Sequence, residues 1–278
     1  MKKIIILSGH SNRFLEKGFT IKPLIKVSNS LIIEKAVSSI YENESDYSDY
    51  IFITKKSDIE NFDINKILSE KFFNSKVFSI NDHFLGPVHS VMQIFDEIPN
   101  NEKIVICYCD LFINWDFSKF TEFAEIENCD GLIASHNNWH PHRVHNSYFA
   151  YMNVDNDKNV IEIKEKEYFT KDPINEFASS GIYYFKTGLM LKKYFNKLVE
   201  EDMKVNNEFY VTLPFNLMIN DGLIVKHFES KNYFCLGTPK DVEIIMGCDM
   251  IIRNLKGFEY DPNQLIEYFK LHFENEQS

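Results

Sequence analysis

The sequence predicts an α/β protein: a mixed, largely parallel sheet with helices packed on both faces. Three observations carry that reading. Short, wholly apolar β-rich runs alternate with helical patterns from residue 3 onward, and strands buried on both faces belong to parallel sheets covered by helices. The second half changes character, with two strand-like runs facing each other across Asp155-Asn156-Asp157, an antiparallel turn. Finally, the chain has 278 residues, 44% of them hydrophobic and 26% charged. A chain of this size buries roughly three quarters of its unfolded surface, enough for one large domain with at most a modest appendage.

The elements follow in order. Lys3–Leu7 reads as a buried strand. Ser28 or Asn29 can cap a helix whose apolar positions Ile32, Ile33, Ala36, Val37, Ile40 and Tyr41 recur at 3.6 spacing. Tyr50–Thr54 (strand), Asp58–Phe72 (helix), Val77–Ile80 (strand), Ser90–Ile98 (helix) and Lys103–Cys109 (strand) continue the alternation. A helix around Phe117–Ile126, capped by Asp116, precedes a strand at Gly131–Ser135. The Phe-rich stretch Phe112–Phe123 is read as core at helical spacing. Tyr148–Val154 and Val160–Lys164 form the hairpin, Ile182–Phe185 a strand, and Gly188–Glu201 and Phe209–Asn220 helices. Thr238-Pro239-Lys240-Asp241 has the cap, the proline and the acidic third position of a helix start. A terminal helix is expected from Pro262.

Composition excludes several function classes. No apolar run approaches the ~20 residues that span a bilayer, and Met1–Leu7 has neither the extended apolar region nor the cleavage site of a signal peptide. The expectation is a soluble, cytoplasmic protein without a membrane partner. A formal charge of −11 argues against nucleic-acid binding, which needs a basic surface. Residues 1–26 are the exception: Lys2, Lys3, Arg13, Lys17, Lys22 and Lys26 face only Glu16, a local +5. A basic pocket in an acidic body suits a small anionic ligand. The five cysteines lack CxxC spacing and are odd in number, so reduced, buried thiols are expected.

The turn Leu7-Ser8-Gly9-His10-Ser11-Asn12-Arg13 follows the first strand at the edge where open α/β sheets bind ligands. Small residues there let backbone N–H groups approach phosphates, and Arg13 and Lys22 supply cations. The longer run from Leu7 through Arg13-Phe14, Gly18-Phe19 and Lys22-Pro23-Leu24-Ile25 resembles the signature of the sugar-phosphate nucleotidyltransferases. Later landmarks match in the same order: Leu85-Gly86-Pro87-Val88, Tyr108-Cys109-Asp110, Glu165-Lys166, Ser180-Gly181-Ile182-Tyr183-Tyr184-Phe185, Asn207-Glu208-Phe209 and Gly237-Thr238-Pro239.

The resemblance implies a Rossmann-like three-layer sandwich of the nucleotide-diphospho-sugar transferase type. It places a catalytic domain over residues 1–245, with a nucleotide half at about 1–135 and an acceptor half at about 136–245, and a helical tail at 246–278. It implies that Leu7, Ser8, Gly9, His10, Ser11, Asn12, Gly86 and Pro87 bind the nucleotide, with Arg13 and Lys22 on its phosphates. Asp110 would hold Mg²⁺, the expected cofactor. Glu165, Lys166, Gly181, Tyr183 and Glu208 would line the acceptor site, Lys166 on the acceptor phosphate. The implied partners are an NTP and a phosphorylated small molecule, and a homo-oligomer stays open. The expected reaction couples the NTP, with a pyrimidine preferred, to a sugar phosphate or similar phosphomonoester and releases pyrophosphate. The expected role is precursor synthesis for surface polysaccharide or glycoconjugate. The alternatives are a glycosyltransferase of related fold, which would carry an Asp-x-Asp that Asp110-Leu111-Phe112 lacks, and a catalytically silent nucleotide or sugar-phosphate binding protein.

The chain departs from the pattern at four positions. Ser11 and Asn12 replace the usual Gly and Ser/Thr, Ile21 replaces a proline, and Cys235 stands where a second acidic metal ligand is usual. A thiol suits Mg²⁺ poorly, since hard cations want oxygen. Glu208 and Asp241 are the candidate replacements. His136, His140, His142 and His145 crowd one short segment. Their spacing is irregular, Pro141 interrupts any helical face and no cysteine lies nearby, so a loop with exposed histidines is favoured over substrate contact or zinc.

Overall fold

The computed structural model describes residues 1–42, 46–137, 140, 142, 147–171 and 173–254, with backbone alone for 248–254. Its strands are β1 (Lys2–Ile6), β2 (Lys26–Val27), β3 (Ser30–Leu31), β4 (Tyr50–Lys55), β5 (Lys76–Ile80), β6 (Ile104–Tyr108), β7 (Leu111–Ile113), β8 (Gly131–His136), β9 (Ala150–Val154), β10 (Val160–Glu165), β11 (Phe177–Phe185), β12 (Val225–Glu229) and β13 (Tyr233–Cys235). Its helices are α1 (Asn12–Leu15), α2 (Ile32–Ser38), α3 (Lys56–Phe62), α4 (Ile64–Lys71), α5 (Pro87–Met92), α6 (Phe117–Ile126), α7 (Gly188–Glu200), α8 (Leu213–Asn220) and α9 (Pro239–Asn254).

The central sheet runs β10-β9-β11-β6-β1-β4-β5, with β8 beside β11 and β12 beside β8. Pairings among β6, β1, β4 and β5 are parallel, and β11 turns antiparallel to β6, β8 and β9. The sheet is the mixed three-layer one the sequence predicts. Alternation along each strand divides the core. Ile4, Ile6, Ile51, Ile53, Ile104 and Ile106 pack on one face with Leu191, Phe195 and Phe215 of α7 and α8. Ile5, Phe52, Val105 and Cys107 pack on the other with α2, α4 and α6 through Val37, Leu68 and Phe120. Successive side chains point to opposite faces, so an all-apolar strand needs both covered.

Several elements differ from expectation. Ser28 and Asn29 do not cap α2; they form the turn of the β2–β3 hairpin, with Ser28 at φ 60°. Glu34 instead caps α2, accepting from Leu31 N–H at 2.8 Å. The single helix expected over 58–72 is split at Asp63, whose φ of 51° ends α3 and starts α4. Phe112 lies on β7, while Phe117 and Phe120 are core. Strands β7, β12 and β13 are too short or too charged to show a period; β7 and β13 exist because they pair with each other. Asp116 caps α6 as expected, through Ser118 N–H. Thr238 and Asp241 form the reciprocal cap of α9: Thr238 N–H donates to Asp241 Oδ2 at 2.8 Å and Asp241 N–H to Thr238 Oγ1 at 3.2 Å. Helix α9 runs past residue 246 to Asn254, and the rest of the expected tail, with the helix expected from Pro262, lies outside the described residues. Cys107, Cys109, Cys129 and Cys235 are buried free thiols. Among the described residues no helix is long and apolar enough to cross a membrane.

Candidate functional site

A cleft of about 390 Å³ opens at the carboxyl ends of β1 and β6, where the edges of parallel strands leave backbone groups and loops for ligands. On one side stands the first turn. Leu7 is core and Ser11 is buried, so neither reaches the cleft as expected of a nucleotide contact. Ser11 acts from behind, its Oγ accepting from Lys22 N–H at 3.0 Å. Ser8, Gly9, His10, Asn12 and Arg13 do line the cleft. Phe14 is buried in a small core with Ile25, Ile32, Leu236 and Val242, which anchors α1 and with it Arg13.

Lys22 sits on a single helical turn, Lys22–Leu24, and donates from Nζ to Asp110 Oδ2 at 2.9 Å. Burial alone would lower its pKa; the Asp110 carboxylate, with Cys109 and Tyr148, outweighs that and holds it above the usual lysine value. The ammonium is therefore charged at any physiological pH. Asp110 follows β6, lines the cleft and keeps about a quarter of its side chain exposed, 27%.

Opposite the first turn, Gly86 and Pro87 line the cleft at the start of α5. Gly86 has φ 86°, and a Cβ there would stand 2.8 Å from Phe209 N. Glycine thus lets segment 85–88 lie against 208–209, tied by Phe209 N–H to Leu85 O and Val88 N–H to Phe209 O. A directed hydrogen-bond chain runs beside it. Leu85 N–H donates to His83 Nδ1 at 3.2 Å, so neutral His83 carries its proton on Nε2, 3.0 Å from Ser90 Oγ. Burial, with His89 and His10, pulls the His83 pKa down to about 4, so the ring is neutral near pH 7. Ser90 Oγ in turn shares a hydrogen bond with Ser8 Oγ at 2.6 Å, and Ser8 lines the cleft. His10 stacks on Phe84 at 4.2 Å between ring centroids.

The acceptor half supplies the far wall. Glu165 ends β10 and accepts from the Thr212 hydroxyl. Burial pushes its carboxyl up to about 7, against the opposing pull of Thr212 and Lys166. Lys166 adopts φ 57°, its N–H bonded to Phe149 O and its ammonium on the Tyr210 hydroxyl. The two residues therefore leave the solvated row of Glu162, Lys164 and Glu167 and face inward; Lys164 and Glu167 pair with each other outside. Gly181, at φ 82°, interrupts β11; a Cβ there would lie 2.7 Å from Leu111 Cδ2. Tyr183 and Glu208 complete the expected set in the cleft.

Cys235 also lines the cleft, but burial, with Asp241 and Asp110, pushes its thiol well above the usual range. A neutral thiol offers a hard cation nothing. Of the two replacement carboxylates considered, Glu208 lines the cleft, whereas Asp241 is turned away onto Thr238 and His142.

A sequence profile described as nucleotidyl transferase matches residues 2–240. The chain belongs to the nucleotidyl transferase family. It is 21% identical over 92% of its length to a candidate mannose-1-phosphate guanyltransferase of Sulfolobus acidocaldarius, of which it spans 65%. Two solved structures share the fold. One is a candidate glucose-1-phosphate thymidylyltransferase of Bacillus anthracis, at TM-score 0.69, 19% identity and coverage of 94% and 97% of the two chains. The other is the inositol-1-phosphate CTP transferase of T. maritima, at 0.67, 14%, and 88% and 94%.

The cleft also has residues that the motifs do not mark. Tyr148, Tyr210, Tyr233, Phe84 and His83 line the same space. They come from loops and a three-residue strand, and an aromatic content of 15% spread along the chain gives no local signal for them. The histidine segment departs from expectation too. His136 is buried at the end of β8, stacked on Tyr233 at 4.0 Å and bonded to Ser180 Oγ. His140 and His142 are partly buried, while Arg143 and His145 lie outside the described residues.

Proposed function

We propose that the protein joins an NTP to a phosphorylated small molecule, forming an NDP-linked product and pyrophosphate. The observation that carries this reading is the gathering of Arg13, Lys22 and Lys166 with Asp110 around one cleft. Two cations stand beside the first turn and the third stands across from them, a spacing that suits two anionic substrates rather than one.

The nucleophile needs no protein base. A phosphomonoester has its second pKa near ~6, so its oxygen is already anionic at neutral pH. That oxygen attacks the α-phosphorus of the NTP; a new P–O bond forms, the α–β bridge breaks, and its electron pair leaves on pyrophosphate. Catalysis then rests on placement and on neutralising repelling anions. Arg13 offers a bidentate fork to the leaving pyrophosphate and Lys22 a fixed charge to the phosphates. Lys166 holds the acceptor phosphate. Glu165, with a pKa of about 7, is partly protonated near neutrality, which limits its repulsion of that phosphate and lets it hydrogen-bond a hydroxyl.

The donor set at Asp110 fits Mg²⁺: one accessible carboxylate suffices where substrate phosphates and water complete the shell. When bound, the ion would supply charge neutralisation on the phosphates. We assign a pyrimidine nucleotide as the preferred donor. That choice follows the thymidylyl and CTP transfer named for two chains of like fold over the guanyl transfer named for the Sulfolobus relative. The role in surface polysaccharide or glycoconjugate precursor synthesis follows from the same family reading. Pyrophosphate release with a panel of four NTPs against sugar phosphates and other phosphomonoesters tests the proposal. Release with one pair is expected; NTP binding without release for any pair would make the protein a silent binder.

A further inference from the structure

We infer that His140, His142 and Asp241 form a binding site for a zinc-class divalent cation, separate from the nucleotide cleft. One ligand atom from each residue lies within 4.8 Å of the others. His142 Nε2 is 3.1 Å from Asp241 Oδ1 and His140 Nε2 is 3.9 Å from the same oxygen. Ligand atoms on a tetrahedral zinc, at bonds of ~2.0–2.2 Å, stand about 3.3–3.5 Å apart. The three donors therefore need to move by only a few tenths of an ångström to about an ångström to share one ion.

The surroundings prepare Asp241 for this role. Its other oxygen, Oδ2, accepts from Thr238 N–H at 2.8 Å and Thr238 Oγ1 at 2.7 Å, which orients the carboxylate, and His142 Nε2 stands between the two oxygens, 3.2 Å from Oδ2 and 3.1 Å from Oδ1. Such support behind a ligand is usual at metal sites. Asp241 is 4% exposed, so its carboxylate is held in place by its partners and not by solvent. His142 stacks on Tyr148 at 4.3 Å, and Tyr148 lines the cleft, so the ion would sit one side chain behind the cleft wall. Cys235 Sγ lies 3.6 Å from Oδ2, on the Thr238 side of the carboxylate.

Two imidazoles and one carboxylate select a borderline cation over Mg²⁺, and three protein ligands leave a fourth position for water. His140 Nδ1 now accepts from His142 N–H at 3.2 Å. Ligation through Nε2 moves the His140 proton to Nδ1 and gives up that contact, and the ion also displaces the hydrogen bond between His142 Nε2 and Asp241 Oδ2. The ion would tie the segment around residues 140–142 to the start of α9, two elements about a hundred residues apart in the chain.

Calorimetric titration of ZnCl₂ into the chelator-treated full-length protein should show one saturable site per chain, undisturbed by excess Mg²⁺. His140→Ala and His142→Ala should each weaken it more than tenfold, while Asp110→Asn should retain it. Wild-type-like zinc affinity in both histidine variants, or no saturable binding by the wild type, would overturn the assignment. Cobalt(II) spectra of the wild type decide independently of any variant's folding. Intense visible d–d bands without a thiolate charge-transfer band are expected. The spectrum of the hydrated ion, or a thiolate band placing Cys235 in the shell, would refute the three-ligand site.

Discussion

Replacing Glu165 by Gln should flatten the pH dependence of stability. Burial pushes the folded carboxyl up to about 7 from an ordinary 4.5. A raised folded pKa means that the native state binds the proton more tightly than the unfolded chain. Stability from this group is full below about pH 4.5 and is lost as pH rises through about 7. At 1.36 kcal/mol per unit, the loss has a ceiling of roughly 3 kcal/mol. Glu165 faces the water of the cleft, so about 2 kcal/mol is the better figure. For a chain of this length that is a fall of roughly 4–8 °C in melting temperature. Gln accepts the same Thr212 hydrogen bond without ionising. Thermal unfolding of both proteins from pH 4 to pH 8 should therefore show matching stabilities at the acid end and an advantage of Glu165→Gln that widens up to about pH 7 and then levels off. Parallel profiles across the whole range would refute the argument that burial governs this carboxyl.

Arg13→Ala should reduce pyrophosphate release by orders of magnitude with little change in melting temperature, because Arg13 is exposed at the cleft while its neighbour Phe14 anchors the turn; unchanged release would remove Arg13 from the phosphate site. Asp110→Asn should abolish Mg²⁺-dependent release and also lower stability by a few kcal/mol, since it strips the buried Lys22 of its counter-charge; full activity in this variant would place the metal elsewhere. Lys166→Ala should weaken the phosphorylated acceptor more than tenfold, about 1.5–3 kcal/mol, and leave NTP affinity near normal in calorimetry; equal loss for both ligands would mean a shared site. Gly86→Ala should destabilise the fold and impair nucleotide binding together, because its Cβ would meet the backbone of Phe209 and its φ is positive.

The strand-helix alternation, the parallel first half and the hairpin were legible because apolar period and turn chemistry are local properties of the chain. So were the charged cleft residues: Arg13, Lys22, Asp110, Glu165 and Lys166 sit at strand ends or in turns, and topology brings strand ends to one edge of a sheet. Other features belong to no window of sequence. The β7–β13 pair joins segments about 120 residues apart, and neither three-residue strand has a period of its own. Ser11 looks like a phosphate contact by position, but packing of the first turn against Lys22 makes it a support. Glu165 and Lys166 look like members of a solvated charge row until the positive φ of Lys166 and the Tyr210 contact turn them inward. The histidine segment shows no partner in its own spacing, because the carboxylate it meets, Asp241, lies 99 residues beyond His142. Local pattern determines what each segment becomes. Which charges lose their water and which donors meet depends on distances between segments, and only the folded chain sets those.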